Sequence, residues 1–239
     1  MIVMPANNSN AHKMEAKYPG RMGLLIGPGG WRDPRGLPFA LDNGRFVCWS
    51  KGSEWPEAAF WRLLECAQAC DTSPRWVVVP DVVADADATF RQWDQWAPRL
   101  EETGLTLAMA VQDGMTPESV KRNAEPGVIF VGGSTQWKRN TMWKWCRSFP
   151  RVHIGRVNTE KRLWNAHRCG AESVDGTGFF RGCVAQLKGL HRYLRRSSAG
   201  MGPPQLELEF AATFARHPDR MIEDVLRNRR TATSIPQPV

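Results

Sequence analysis

No apolar run in this 239-residue chain approaches the ~20 residues that a membrane-spanning helix requires. The opening stretch, MIVMPANNSNAHKMEAKYPG, has no long apolar segment of the secretory kind, so residues 1–20 are expected to be a polar, partly disordered leader. Cysteine is sparse. Cys48, Cys66, Cys70, Cys146, Cys169 and Cys183 are scattered through a chain too large to need stapling, which predicts reduced thiols and a cytoplasmic protein. Cys66 and Cys70 share a helix face, but no second Cys or His pair stands at ligand spacing, so no metal site is expected. The glycine-rich Gly27-Pro28-Gly29-Gly30 is not followed by a Gly-Lys-Ser/Thr triplet, and Pro28 removes an amide donor. It reads as a turn and not as a phosphate cradle. Neither His153 nor His167 has a Ser or Cys beside it in a nucleophile motif, and both are read as structural. Acidic residues are outnumbered, 24 Asp and Glu against 32 Lys and Arg. The resulting charge of +8 and pI near 9.5 favour a polyanionic partner such as nucleic acid.

What the chain does have is a repeated rhythm. Short apolar runs around Met22, Phe39, Trp76, Leu107, Val128, Val152 and Ser173 read as seven strands. Segments of helical spacing fall between them: 55–70, 84–100, a start at Thr116-Pro117-Glu118, about 141–147, and a stretch carrying Leu163 and Ala166. The run RWVVVPD, continuous and β-branched, has the look of a strand buried on both faces. Such alternation predicts a parallel sheet with right-handed crossovers. Polar or glycine residues follow most of the strands: Asp42, Asp81, Gln112, Gly132 with Gly133, and Asp175. That clustering predicts an α/β fold of the TIM (β/α)₈ kind, whose chemistry sits at the C-terminal ends of its strands. An open doubly wound sheet would concentrate such residues in one or two crevices instead.

The eighth strand is not evident, so the barrel is expected to span 21–196, incomplete or modified. A linker and C-terminal helical segment (197–229) and a disordered tail (230–239) follow it. Alternatives remain for two of the aspartates. Asp42-Asn43-Gly44 is also a strong hairpin signal, and Asp175 could instead cap a helix starting near Phe180.

Six segments, ALDNGRF, VVPDVVADADATF, AVQDGM, VGGSTQWK, VHIGRVN and GAESVDGTGF, occur in an order that resembles the tRNA-guanine transglycosylase superfamily. They look closest to its DNA-acting branch, the deazapurine-in-DNA (DpdA) proteins of phages and bacterial modification clusters. The resemblance runs from about Leu24 to Arg181 and rests on the ordered set. It implies a TIM barrel that replaces guanine in DNA with a 7-deazaguanine of the preQ0 type, without cutting the strand and without a cofactor. Matched position by position, Asp175 corresponds to the nucleophile and Asp42 to a proton-transfer aspartate. Asp81 corresponds to the carboxylate that holds the purine edge. Asn43, Gln112, Gly132, Gly133, Ile154 and Phe46 fall at base-binding positions.

Two departures stand out. Asn43 and Arg45 replace the Ser and Gly of the tRNA enzymes' DSGGF motif, and no CxCxxC zinc site, hence no zinc subdomain, lies near the C-terminus. The missing zinc site removes a subdomain that the tRNA enzymes use and fits the shorter DNA-acting branch, while leaving the tRNA reading open.

The chemistry suits the residue types. Exchanging one base for another with retention calls for two displacements at C1′, as in retaining glycosidases, whose paired carboxylates stand about 5 Å apart. A base in duplex DNA must be flipped out, at a few kcal/mol. Phosphate contacts from Lys138, Arg139, Arg156, Lys161, Arg162, Arg192, Arg195 and Arg196 are expected to offset that cost. Phe46 or Trp137 could stack on a base. The implied partners are DNA, double- or single-stranded, the free 7-deazaguanine base and a helper protein that opens the duplex. The competing readings are a tRNA-guanine transglycosylase of the same chemistry, a non-catalytic nucleic-acid-binding barrel, and a hydrolase of small glycosides.

Overall fold

Eight short parallel strands form one sheet: β1 (Ile2–Val3), β2 (Leu24–Ile26), β3 (Phe39–Leu41), β4 (Val77–Val78), β5 (Leu107–Val111), β6 (Val128–Val131), β7 (Val152–Ile154) and β8 (Ser173–Val174). The computed structural model describes residues 1–6, 9–181 and 183–203. Neighbours run β1-β8-β7-β6-β5-β4-β3-β2. The remaining seam, between β1 and β2, is bridged at Val3–Met22 and Ala6–Leu25. There the Val3 amide donates to the Arg21 carbonyl at 2.9 Å, and the Leu25 amide to that of Pro5 at 3.0 Å. The sheet is thereby a nearly closed barrel, the α/β TIM-like fold expected from the alternation of strands and helices.

The missing eighth strand is β1, and it corrects the reading of residues 1–20 as a leader. Ile2 and Val3 pair with Ser173 and Val174 of β8, and Val3 and Met4 are fully buried. Helix α1 (Ser9–Lys17) follows and buries Ala11 and Met14. Residues 1–20 therefore belong to the same compact unit as the rest of the barrel, which extends to Arg195. The apolar run Met-Ile-Val-Met is too short to announce a strand by periodicity. Its pairing is settled by a partner some 170 positions away. The C-terminal segment and tail expected over 204–239 lie outside the described residues.

Between the strands run α2 (Arg45–Lys51), α3 (Glu57–Gln68), α4 (Ala86–Glu101), α5 (Pro117–Asn123), α6 (Thr135–Ser148) and α7 (Glu160–Cys169). A 3₁₀ turn (Gly178–Phe180) and α8 (Val184–Ser198) follow β8. Side-chain caps fix several of their starts. Asp85 accepts from the Ala88 amide, Thr116 from Ser119, Ser134 from Trp137 and Thr159 from Arg162. The Ser134 cap begins α6 at Thr135, six residues before the spacing suggested.

Strand alternation divides the apolar residues into two groups. Outward-facing Leu24, Ile26, Leu41, Val77, Met109, Ile129 and Val174 pack under the helices. Inward-facing Met4, Leu25, Ala40, Trp76, Val78, Ala108, Ala110 and Val128 fill the barrel, joined by Ile2 and Phe130. The small alanines leave room for a layer of rings: His153 lies 4.8 Å from Phe130, stacked, and 5.0 Å from Trp76, edge-on. Counted two positions further along the same inward parity, the strands end on Gly27, Asp42, Gln112, Gly132, Gly155 and Asp175. Those residues form the floor of the barrel mouth.

Candidate active site

Asp175 follows β8 with both carboxylate oxygens engaged. His153 Nε2 lies 3.1 Å from Oδ2, and the Arg156 amide donates to Oδ1 at 3.0 Å. Arg156 adopts a left-handed backbone (φ 58°), which turns its N–H toward the carboxylate while its guanidinium bonds the Gly133 carbonyl. That guanidinium also lies 4.3 Å from the ring centroid of Phe46. The next residue has to be glycine. A Cβ on Gly176 would stand 2.3 Å from the Val157 carbonyl oxygen, so the chain after Asp175 packs directly against the loop after β7.

Asp42 leaves β3 on the same parity. Burial, and then the neighbouring charges of Asp175 and Asp81, push its carboxyl up to about 7, against the pull of the Gly44 and Asn43 amides. A carboxylic acid that keeps its proton near neutrality can donate it. The Asp42-Asn43-Gly44 turn is no hairpin. Gly44 is the left-handed residue (φ 78°) from which α2 starts, and its Cα packs against Pro28.

Asp81, buried beyond β4, is held by two amides. Asn43 Nδ2 donates to Oδ1 at 2.8 Å and Gln112 Nε2 to Oδ2 at 2.6 Å. Burial raises its pKa, while these two hydrogen bonds and the Arg45 charge oppose the rise. Gln112 in turn accepts from the amides of Ala84 and Gly133, each at 3.2 Å. Asp42, Asp81, Asn43, Gln112, Gly132, Gly133 and Asp175 are thus brought together from five strands. The two aspartates that most perturb Asp42 are the two that the sequence pairs with it.

Ile154 and Lys138 do not stand where the sequence suggested. Ile154, matched to a base-facing position, points outward into the core beneath the helices. Alternation gives the inward places of β7 to His153 and Gly155. Lys138, expected on phosphate, is buried: its Nζ donates to the Gly155 carbonyl at 2.5 Å. Burial and the Arg156 charge bring its pKa down to about 7. The early start of α6 places Lys138 one turn from the cap, turned into the mouth and away from solvent.

Of the other basic residues, Arg139 and Lys161 are exposed and Arg162 partly so. Arg192 is paired with Glu160 at 2.7 Å on the outer wall. Arg195 is exposed two residues past Tyr193, whose hydroxyl meets His167 in the last turn of α7, away from the mouth. Arg196 donates to the Gly202 carbonyl at 2.6 Å. Phe46 is exposed on α2 with Val47 and Trp49, whereas the half-buried Trp137 packs against Gly133 and Trp145.

His153 is the site residue that sequence reasoning read as merely structural. The signal was available: it shares the inward parity of Gly155, on a strand adjacent to that of Asp175. Among the described residues no group of three or more His, Cys, Asp or Glu is arranged to hold a metal ion, and the six cysteines carry free thiols. No helix among the described residues is long and apolar enough to cross a membrane. A groove of about 540 Å³ lies between α5 and α6, lined by Met115, Trp137 and Trp143, and includes none of the three aspartates. No protein-family model matches the chain, and no curated protein matches it either.

Proposed function

We propose that this chain is a DNA-guanine transglycosylase that exchanges guanine for a 7-deazaguanine of the preQ0 type through a covalent ester between Asp175 and C1′. The observation that carries this reading is the convergence at one barrel mouth of three aspartates in three different environments. Asp175 is held by an N–H on one oxygen and an imidazole on the other. Asp42 is raised to about 7, and Asp81 is presented between two amides. Environments that drive like groups apart are how one site divides acid, nucleophile and recognition among carboxylates.

In the first displacement a carboxylate oxygen of Asp175 bonds C1′ as the C1′–N9 bond breaks. The electron pair leaves on the purine, and the Asp42 proton neutralises it. In the second, N9 of the incoming base attacks C1′, its proton passes to Asp42, and the ester electrons return to Asp175. Asp81 accepts from N1–H and the exocyclic amine of either base, and Phe46 stacks at the entrance. Arg139, Lys161 and Arg162 supply phosphate contacts, which favour an extruded nucleotide without reading sequence.

The test is to incubate the chain with DNA or tRNA and free preQ0, follow the products by nucleoside mass spectrometry, and trap the adduct on denaturing gels. A 7-deazaguanine in DNA, an adduct with DNA, and loss of both in Asp175→Asn with an unchanged circular-dichroism spectrum are expected. Exchange confined to tRNA would transfer the same chemistry to the tRNA enzymes. Binding without any adduct, undiminished in Asp175→Asn, would leave a non-catalytic nucleic-acid-binding barrel.

A further inference from the structure

His153 is shut off from bulk solvent. It is fully buried between Phe130 and Trp76, and its two nitrogens have one partner each: Ser173 Oγ lies 2.8 Å from Nδ1 and Asp175 Oδ2 lies 3.1 Å from Nε2. A ring so placed could simply fill the barrel. Its Nε2, however, meets the very oxygen pair that the proposed reaction alternately esterifies and releases, and Ser173 is a hydroxyl able to donate or accept. A carboxylate only accepts, so with Asp175 free the proton of this contact sits on Nε2. That nitrogen donates to Oδ2, and Nδ1 accepts from the Ser173 hydroxyl.

We propose that His153 is a positioning residue of the transglycosylase reaction: through Nε2–H it orients Asp175 and favours its departure from C1′ in the second displacement. The inference rests on Asp175 being the nucleophile. An N–H donor binds a carboxylate more strongly than an ester oxygen. As the O–C1′ bond breaks and its electron pair returns to Oδ, the hydrogen bond from His153 strengthens, and no proton needs to leave the ring. The base, not the histidine, exchanges its proton with Asp42. The other charged groups around Asp175 are Asp42 at the end of β3, Lys138 on α6 and Arg156 beyond β7. All of them are retained when His153 alone is changed.

Two measurements test this. The first is ¹⁵N NMR of the histidine-labelled full chain, which reads the tautomer directly. A protonated Nε2 with an accepting Nδ1 in His153 is expected, and a resonance pattern of the Nδ1–H tautomer would overturn the proposal. The second is the lifetime of the trapped DNA adduct after addition of free base. His153→Phe, which keeps the aromatic packing but not the donor, is expected to slow adduct breakdown on the order of tenfold. The KM for the incoming base should stay unchanged. His153→Gln, whose side-chain amide can reach the same oxygen, is expected to restore most of the rate. Equal adduct lifetimes in the wild type and in His153→Phe would overturn the leaving-group role, as would a His153→Gln variant no faster than His153→Phe. If the wild type forms no adduct, the transglycosylase reading fails and this role fails with it. The tautomer measurement still decides the His153–Asp175 hydrogen bond.

Discussion

Asp42 titrates in the range where cells live, and this has two separable consequences. In the proposed reaction the Asp42 proton neutralises the departing guanine, so exchange is expected to decline as pH rises through about 7, where Asp42 loses that proton. Asp42→Asn should lower the rate by a factor of about 10² to 10⁴ and abolish that limb of the profile. The second consequence is on stability. A carboxyl whose folded-state pKa is raised binds a proton that the unfolded chain has already released. Folding stability therefore falls as pH climbs from about 4 to about 7. Asp42→Asn removes this slope, and its melting temperature relative to the wild type should rise across that window. The gain is on the order of 2 kcal/mol by pH 8, less than the full shift converts to, because Asp42 keeps some contact with solvent. Thermal melts of both proteins from pH 4 to 8 check the sign.

The three aspartates were legible from the residues alone, because each ends a strand-like run. Lys138 was not. In the sequence a lysine between Trp137 and Arg139 is one of many charges, and only the cap at Ser134 decides that it turns inward.

At the scale of elements, α2 is the unusual piece. None of its residues is buried, yet it carries Phe46 over the mouth and owes its start to Gly44. A Cβ at that position would meet Pro28 Cδ at 2.9 Å, on a backbone of φ 78°. Gly44→Ala should cost about 1–2 kcal/mol in urea denaturation, and it should displace Phe46 from Arg156. Strand parity explains most of what the sequence revealed at this scale and what it concealed. The run VVVPD announces a doubly buried strand without saying which residues face the barrel. VHIG likewise offers His153 and Ile154 on equal terms, and only the ladder to β6 and β8 sends Ile154 outward. Helix α6 was located but started late, because its first turn, Thr135 to Lys138, has no apolar stripe to mark it.

For the whole molecule, the decisive feature is the closure that β1 provides. The alternation of seven strands with helices was enough to specify the barrel class. The strand that completes it was hidden in four apolar residues whose role depends on a distant partner. Val3, which lies against both β8 and the chain entering β2, is wholly buried. Val3→Asp would bury an unpaired charge at the seam and should cost about 4 kcal/mol or more. Equilibrium unfolding monitored by tryptophan fluorescence measures it. A variant that unfolds at the wild-type denaturant midpoint would mean that the seam contributes little to the barrel.

That seam also sets an order of events on the ribosome. Of the eight described strands, the earliest made is among the last to be secured, because its main hydrogen-bonding neighbour, Ser173–Val174, is translated only after six intervening strands. Throughout synthesis the nascent sheet grows with an unpaired edge at each end, and such edges recruit other chains. Contacts that span nearly the whole sequence also fold slowly. Nascent copies of this chain should therefore depend on holdase chaperones until β8 has left the exit tunnel, and the mouth with its three aspartates comes into being only at that final step.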